Sequence, residues 1–381
     1  MLQRWLCLVF LIVLHAPAHA ADAEALRKLL DARLEQAAAA GFSGSVLVAD
    51  GENVLFERGY GVADPASKRA VDVNTRFNLA STGKLFTTVA ALQLVQQGKL
   101  DLDATVGRYL PDWPIADVRD KVTVRQLLLH TSGLGSFWGP DFEAMRARLQ
   151  TLADYTPLLA KPPAFEPGTG WQYSNTGFQL LGLIVEAASG ESYYDYVARH
   201  IFAVAGMRDT GYFAIDGKAE RVAVPHKGGA GEDRFDAFAV LPEPRGGAAG
   251  GGYSTPRDLL RFHRALTGGK LLDAPRMRLL FAAVDLPAST GGRPPHGLGL
   301  LRIERNGDVV YGHPGGARGI GVDFRAARDS GWTLVLMSNV GDPFAMALGG
   351  DLARLVAEAG GADLRFPRPG PRGGKPVAVR H

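Results

Sequence analysis

A serine and a lysine three residues apart are the first candidates for chemistry in this sequence. They are Ser81 and Lys84. A serine hydroxyl is a poor nucleophile until a neighbouring base accepts its proton, and a lysine can be that base when burial lowers its pKa. If Ser81 opens a helix, both side chains share one face, and the Ser81 N–H can bind a developing oxyanion. Taken alone, the pair also fits an N-cap serine followed by a surface lysine.

A tyrosine and an asparagine form the second candidate pair. Tyr173 and Asn175 precede a predicted helix that starts near Gly177. A phenol beside an ammonium group loses its proton more easily and can act as a base or an acid. The Asn175 amide both donates and accepts hydrogen bonds, so it can orient the lysine or a substrate amide. The alternative interpretation is a half-buried tyrosine beside a turn asparagine.

A histidine followed by proline and two glycines ends a predicted strand, at His313 to Gly316. The small Gly315 and Gly316 let a substrate approach the strand backbone, and the Gly316 N–H is a candidate second oxyanion donor. His313 could bind a carboxylate or shuttle protons. The alternative is a strand end with a tight glycine turn.

The elements that must position these residues begin with strands near both chain ends. Residues 45–49 and 54–56 flank Asp50-Gly51 and read as a β-hairpin. Strand patterns recur late in the chain, and helical patterns lie outside the strands at either end. The late strands are 308–311, 321–324 and 332–337, and the outer helices are 24–40 and 344–359. Because sequential elements tend to pack together, the strands from both ends are expected to form one antiparallel sheet flanked by helices.

The middle of the chain favours helices separated by loops with proline or glycine. The predicted helices are 84–97, 123–130, 178–188 and 193–203. They would form an inserted, mainly helical lobe beside the sheet. The sequence therefore predicts an α/β (α+β) fold, with a groove between the two lobes as the natural place for a site.

The order of the three motifs resembles the serine β-lactamase-related family. That family includes class C β-lactamases, DD-peptidases, D-aminopeptidases and family VIII carboxylesterases. Three flanking segments are similar to the family as well, and the resemblance covers roughly residues 24–360; these segments are 123–134, 249–259 and 296–300. The resemblance implies a β-lactamase/transpeptidase-like fold, acylation of Ser81, proton transfer by Lys84 and Tyr173, and positioning by Asn175. It also implies a small-molecule ester, amide or peptide substrate.

The third motif departs from the family pattern. β-Lactamases of this family mostly carry Lys-Thr-Gly where this chain has His313-Pro314-Gly315. A neutral imidazole anchors a carboxylate less well than an ammonium, and Pro314 has neither a hydroxyl nor an N–H. We therefore expect an esterase or a D-amino-acid peptidase rather than an efficient β-lactamase. Arg318 could replace the missing lysine as an anchor.

Two other classes of function remain to be weighed. One is a catalytically silent module that binds β-lactams or peptidoglycan on the same scaffold; the presence of Ser81, Lys84 and Tyr173 argues against it. The other is a metal-dependent hydrolase, but none of the nine histidines forms an H-E-x-x-H or H-x-H pair. There is no G-x-S-x-G segment of an α/β-hydrolase either. No metal or cofactor is expected.

The N-terminal residues 1–20 have the pattern of a secretory signal peptide. Arg4 precedes the apolar run 5–14, and Ala18 and Ala20 supply the small residues of a cleavage site. The run is shorter than the roughly 20 apolar residues that span a bilayer. We expect cleavage near Ala20 and a secreted or periplasmic protein. Cys7 is the only cysteine, so the mature chain would carry no disulfide or thiol nucleophile.

The remainder of the chain reads as one hydrolase domain, 21–365, followed by a disordered tail rich in proline, glycine and arginine, 366–381. The formal net charge is +3, from 42 basic and 39 acidic residues. This balance gives no electrostatic basis for binding nucleic acid or an anionic membrane surface. The sequence leaves the oligomeric state open.

Overall fold

The computed structural model of the protein describes residues 20–213, 220–227, 245–287 and 296–367. The predicted signal peptide lies outside these residues except for Ala20. Of the predicted tail, residues 368–381 lie outside them as well, whereas Phe366 packs against the apolar core. In the described part of the chain, no helix combines the length and hydrophobicity needed to cross a membrane.

Within the described residues, a seven-stranded antiparallel sheet is built from both ends of the chain. The strands of the described residues are β1 (Gly44–Asp50), β2 (Asn53–Tyr60), β3 (Val62–Asp64), β4 (Arg69–Ala70), β5 (Phe77–Asn78), β6 (Tyr253–Ser254), β7 (Leu301–Arg305), β8 (Asp308–Gly312), β9 (Gly315–Ala317), β10 (Ile320–Ala327) and β11 (Thr333–Ser338). The strand order of the large sheet is β2-β1-β11-β10-β8-β7, and β9 also pairs with β10. Two short pairs, β3–β4 and β5–β6, lie apart from it.

The pairing of β1 with β11 joins the two ends of the chain. Gly44 lies opposite Ser338, and the register continues to Ala49 opposite Thr333. This confirms the predicted antiparallel sheet from both chain ends. Strands β7 and β9 were not predicted.

Helices cover both faces of the sheet. They are α1 (Ala20–Ala39), α2 (Lys84–Gln96), α3 (Ala116–Lys121), α4 (Val124–Leu128), α5 (Pro140–Met145), α6 (Thr156–Leu159), α7 (Asn175–Ser189), α8 (Tyr193–Val197), α9 (Ala203–Ala205), α10 (Pro256–Thr267), α11 (Ala274–Leu280) and α12 (Asp342–Glu358). A π-helical turn, Ala198–Phe202, joins α8 to α9. Helices α2 to α9 lie between β5 and β6 in sequence and form the predicted helical lobe.

Alternation along the central strands creates two apolar cores. In β1, Val46 and Val48 face the core shared with α1 and α12, while Leu47 faces the core shared with the helical lobe. Because successive strand residues point to opposite faces, a strand covered on both sides is apolar throughout. The apolar runs of β1 and β11 follow from this arrangement, whereas β10 is buried along its whole length but carries the paired Asp323 and Arg325. The site lies on the side of the helical lobe.

Candidate active site

Ser81 lies in a tight 3₁₀ turn, Ala80–Gly83, directly before α2. The α-helix itself begins at Lys84, as in the predicted range 84–97, so Ser81 precedes the helix by one 3₁₀ turn rather than opening it. Ala80 has a φ of +42°, which is uncommon for a residue with a side chain. Its conformation is held by two hydrogen bonds: the Ala80 N–H donates to Asn78 Oδ1 at 2.8 Å, and the Gly251 N–H donates to the Ala80 carbonyl oxygen at 2.9 Å. The turn that carries Ser81 is therefore strained and firmly anchored.

Lys84 is fully buried and meets three oxygen atoms. Its Nζ lies 3.3 Å from Ser81 Oγ and 2.8 Å from Asn175 Oδ1, and it donates to the Ala249 carbonyl oxygen. The amide and carbonyl oxygens can only accept, whereas the serine hydroxyl can donate or accept. An uncharged Lys84 can thus donate to Asn175 and Ala249 while accepting the Ser81 proton. After the transfer, the ammonium donates to all three without rearrangement.

A glycine-rich loop supplies the carbonyl group that Lys84 meets. At Gly250 a side chain would collide with the Ala80 carbonyl oxygen, and at Gly83 it would lie 3.1 Å from the Gly251 carbonyl oxygen. These glycines allow the loop and the nucleophile turn to approach each other closely. The sequence shows this loop by its glycine content and by its resemblance to the family, but sequence reasoning gave it no part in the site.

Tyr173 and Asn175 flank Ser174, the residue that caps α7. The Ser174 hydroxyl accepts from the Gly177 N–H at 2.7 Å, and α7 begins at Asn175 rather than near Gly177. The capped start of α7 places the Asn175 side chain beside Lys84. Lys84 of the first motif and Tyr173 and Asn175 of the second motif thus meet at the N-terminal end of α7.

The Tyr173 hydroxyl is buried and has no partner of hydrogen-bond geometry among the described residues. Burial raises the pKa of Tyr173, and the neighbouring Ser81 hydroxyl opposes this shift. Lys84 Nζ lies 4.9 Å from the centroid of the Tyr173 ring, so it faces the ring. The pKa of Tyr173 is therefore shifted in the opposite direction to the lowering that the sequence analysis expected from a neighbouring ammonium group. The resting phenol is protonated and ready to donate.

The third motif reaches the nucleophile turn through β9. Pro314 lies in the two-residue break between β8 and β9. Just before it, the His313 carbonyl oxygen accepts a hydrogen bond from the Thr82 hydroxyl at 2.9 Å. A side chain at Gly315 would collide with the Leu79 carbonyl oxygen and lie 2.8 Å from Thr82 Oγ1. Gly316 is partly exposed in β9, opposite Gly321 of β10. The structure therefore brings all seven predicted site residues to one place.

The His313 ring is buried, and its hydrogen bonding defines its proton. Nδ1 lies 2.7 Å from the Pro314 carbonyl oxygen. Because a carbonyl oxygen only accepts, Nδ1 carries the hydrogen and Nε2 presents a lone pair. Burial and the charge of Lys84 lower the pKa of His313 to about 3. The ring is a neutral acceptor at Nε2, which is poorly suited to holding a carboxylate.

A cluster of three further rings adjoins Tyr173 through His130: the rings are those of His130, Trp171 and His296. Sequence reasoning did not place them in the site. The His130 and Tyr173 ring centroids are 4.5 Å apart, and burial lowers the pKa of both His130 and His296. The available signal was that His130 lies within, and His296 begins, a segment resembling the family. Within the described residues, no group of His, Cys, Asp and Glu side chains could hold a metal ion.

Several known proteins are similar to this chain. A family model described as Beta-lactamase matches residues 26–358. The chain is 32% identical over 314 residues to penicillin-binding protein 4* of Bacillus subtilis, an alignment that covers 78% of this chain and 68% of that protein. It is 36% identical over 250 residues to esterase EstB of Burkholderia gladioli, covering 61% of this chain and 63% of the esterase.

A solved structure has the same architecture. The D-amino acid amidase from Ochrobactrum anthropi SV3, complexed with L-phenylalanine amide, superposes with a TM-score of 0.72 and 26% identity. The match covers 89% of this chain and 98% of the amidase. Proteins similar to this chain thus include a penicillin-binding protein, an esterase and an amidase.

Proposed function

Because the chain belongs to the beta-lactamase family of serine hydrolases, we propose that it cleaves esters or amides through an acyl-enzyme on Ser81. The observation that carries the proposal is the position of Lys84. Lys84 Nζ is held by two oxygens that can only accept hydrogen bonds, those of the Asn175 side chain and the Ala249 backbone. The remaining contact of Nζ is with Ser81 Oγ. That arrangement suits a base that removes the serine proton.

In the proposed reaction, Ser81 Oγ attacks the substrate carbonyl carbon as its proton passes to Lys84. The bond to the leaving group then breaks, and the leaving oxygen or nitrogen takes the proton of the Tyr173 phenol. The Lys84 ammonium returns a proton to Tyr173. Water repeats the sequence on the acyl-enzyme and releases the acid. Backbone N–H groups of Ser81 and Gly316 are the proposed donors to the oxyanion.

Esters and uncharged amides are the substrates we propose in preference to β-lactams. The His313 ring is neutral and offers a lone pair at Nε2, and Pro314 has no N–H to donate. A substrate carboxylate would find no cationic anchor at these two residues. The esterase and the amidase among the similar proteins support this choice.

Export is part of the same proposal. Residues 1–20 carry the basic, apolar and small-residue regions of a signal peptide in the usual order. The exported protein would then encounter its substrate outside the cytoplasm.

The experiment that tests the nucleophile is labelling with a fluorophosphonate probe. We expect one adduct per chain, on the peptide that contains Ser81, and none in Ser81→Ala. Ser136→Ala is the matched control, because Ser136 Oγ lies 3.5 Å from Asn175 Nδ2 and is another hydroxyl near the site. Labelling that persists in Ser81→Ala would contradict the assignment. Labelling of Ser81 without turnover of any ester or amide would favour the silent binding module.

A further inference from the structure

His130 holds the backbone on both sides of Tyr173. The Gln172 N–H donates to the His130 carbonyl oxygen at 2.9 Å, and the Ser174 N–H donates to His130 Nδ1 at 3.0 Å. The residue between these two amides is Tyr173. We propose that His130 is a positioning residue, which clamps both neighbours of Tyr173 and so sets the phenol against Ser81. This inference rests on the proposed function.

The ring of His130 adds a third contact to the clamp. Its centroid lies 4.5 Å from that of Tyr173, at an interplanar angle of 32°, and 5.0 Å from that of Phe178. His130 is only 1% exposed. Because Phe178 belongs to α7, the ring also ties Tyr173 to the helix that carries Asn175. Backbone and ring therefore fix the position of Tyr173 together.

The conformation of His130 is itself constrained. Its φ is +60°, in the left-handed region that residues with side chains rarely occupy. The Thr131 N–H donates to the Gln126 carbonyl oxygen at 2.9 Å, and the Gly168 N–H donates to the Thr131 carbonyl oxygen at 2.8 Å. These bonds attach the turn to α4 and to the loop that leads to Tyr173. A strained residue persists where its surroundings determine it, as they do here.

The hydrogen bond from Ser174 also determines the tautomer of His130. Nδ1 accepts, so the hydrogen lies on Nε2, and this N–H has no partner among the described residues. The same holds for Trp171 Nε1 and for both ring nitrogens of His296. The three rings form a triangle with centroids 5.6 to 6.1 Å apart. Buried groups of this kind are ordinarily satisfied by ordered water.

Two amide substitutions separate the clamp from simple packing. The Asn side chain places an oxygen near the position of His Nδ1, and asparagine tolerates a positive φ. The Gln side chain reaches the position of Nε2 but leaves the Ser174 N–H without its acceptor. We expect His130→Asn to keep kcat within about fivefold, since the acceptor survives, and His130→Gln to lose about 10- to 100-fold in kcat, since a buried donor is unsatisfied. KM should change little in either variant.

His263→Asn is the matched control for loss of a buried histidine. His263 is 2% exposed, and its Nδ1 lies 2.9 Å from the Tyr311 hydroxyl. This variant should lower the melting temperature while leaving kcat unchanged. Equal kcat values for His130→Asn and His130→Gln would overturn the clamp.

Amide hydrogen exchange gives a readout that does not depend on turnover. The Ser174 amide should exchange slowly in the wild type and in His130→Asn, and faster in His130→Gln, while the Leu181 amide inside α7 is unaffected. In the wild type, ¹⁵N NMR should find His130 with its hydrogen on Nε2, and a hydrogen on Nδ1 would overturn the proposal even if a variant failed to fold. Absence of esterase or amidase activity in the wild type would contradict the proposed function alone, and the exchange data would still decide the clamp.

Discussion

The two partners of Lys84 that can only accept define what this residue can do. The carbonyl oxygen of Ala249 comes from a loop, and Oδ1 of Asn175 comes from the start of α7. Neither needs to move when the proton passes between Ser81 and Lys84. A base surrounded in this way is prepared for the transfer before the substrate arrives, which is how preorganised sites lower a barrier.

The first prediction at this scale concerns Lys84 and Tyr173 as one unit. Lys84→Ala and Tyr173→Phe should each lower kcat by about three orders of magnitude or more, because each removes a group that transfers a proton. Because groups that act together are not additive, the double variant should be little slower than the slower single variant. Steady-state kinetics on a nitrophenyl ester and circular dichroism of each variant are the measurements. Wild-type kcat in Tyr173→Phe would return Tyr173 to a structural role.

The second prediction concerns His313 and a substrate carboxylate. A chromogenic cephalosporin and its methyl ester differ only in that group. Because the His313 ring is neutral and Pro314 cannot donate, the acid should have no advantage in kcat/KM over the methyl ester, and a short nitrophenyl ester should exceed both. A hydrogen bond to a charged group is worth about 1.5 to 3 kcal/mol, so an anchored acid would lead by roughly tenfold or more.

A lead of that size for the acid would contradict the prediction and direct attention to Arg318, which lies between β9 and β10. Arg318→Ala would then test whether this guanidinium is the anchor. Loss of the preference in that variant would identify Arg318 as the substitute for the family's lysine.

Among the elements, β9 is a short strand that lies directly against the site. It is three residues long, yet it lies against the turn that carries Ser81 because Gly315 has no side chain. Its backbone is therefore a wall of the site. The distance between this strand and the nucleophile turn is set by one missing Cβ.

Gly315→Ala is the prediction that tests this contact. The new methyl group would collide with the Leu79 carbonyl oxygen, so β9 must move away from Ser81, and kcat/KM should fall by about 100-fold, as expected for misplacement by about 1 Å. Gly350→Ala in α12 is the control. Its Cβ meets only Arg325 Nη2 at 4.0 Å, and alanine in a helix stabilises by about 0.5–1 kcal/mol relative to glycine.

The measurements are kcat/KM and urea unfolding for both variants. Unchanged kcat/KM in Gly315→Ala would show that β9 can withdraw without disturbing the site.

The elements that could be predicted from the sequence are those with a clear periodicity of apolar residues or a recognisable turn. The hairpin β1–β2 and helix α12 follow from apolar spacing and Asp50-Gly51. Strand β7 was missed because Leu301–Arg305 is an edge strand rich in charge, and β9 because two of its three residues are glycine. Helix α10 was missed although Thr255 caps it and Pro256 starts it, a pattern that indicates a helix start.

The site was predictable where chemistry depends on sequence spacing, and not where it depends on long-range packing. Ser81 and Lys84 are three residues apart, so one turn of chain brings them together. His130 and Trp171 meet only because a loop returns to α4, and no local pattern indicates that return. The pKa of Tyr173 was misjudged for the same reason, since its burial depends on elements distant in sequence.

At the scale of the whole molecule, the described residues include five buried histidines whose pKa is lowered. Burial lowers the pKa of His263 and His296 to about 4 and of His313 to about 3, and it also lowers the pKa of His130 and His226. Below a pH of about 6.5 the unfolded chain takes up protons that the folded protein excludes. Stability therefore falls as the pH drops through this range.

We predict a clear loss of stability between pH 7 and pH 5. Each of His263, His296 and His313 contributes about 2 kcal/mol over this interval, because one pKa unit corresponds to about 1.4 kcal/mol. Urea unfolding at the two pH values measures the loss. His263→Gln should reduce the dependence on pH by about one proton, and equal stability of the wild type at both pH values would contradict the neutral assignment.

The last prediction concerns export of the whole chain. Expressed with residues 1–20 in a secreting host, the protein should be recovered outside the cytoplasm with Ala21 as its first residue, as intact mass can establish. A matched chain without residues 1–20 should stay in the cytoplasm. A full-length protein, or lipid attached to Cys7, would contradict cleavage near Ala20.

The pairing of β1 with β11 has a consequence for the order of folding. Gly44 cannot find its partner until Ser338 has been synthesised, and the central strands of the sheet are joined only then. Contacts between such distant residues form slowly, because a long loop must close first. Until that moment β1 and β10 both present open edges, where another chain can add. A nascent chain of this topology stays open during nearly all of its synthesis, a state in which it can still be threaded through a narrow pore.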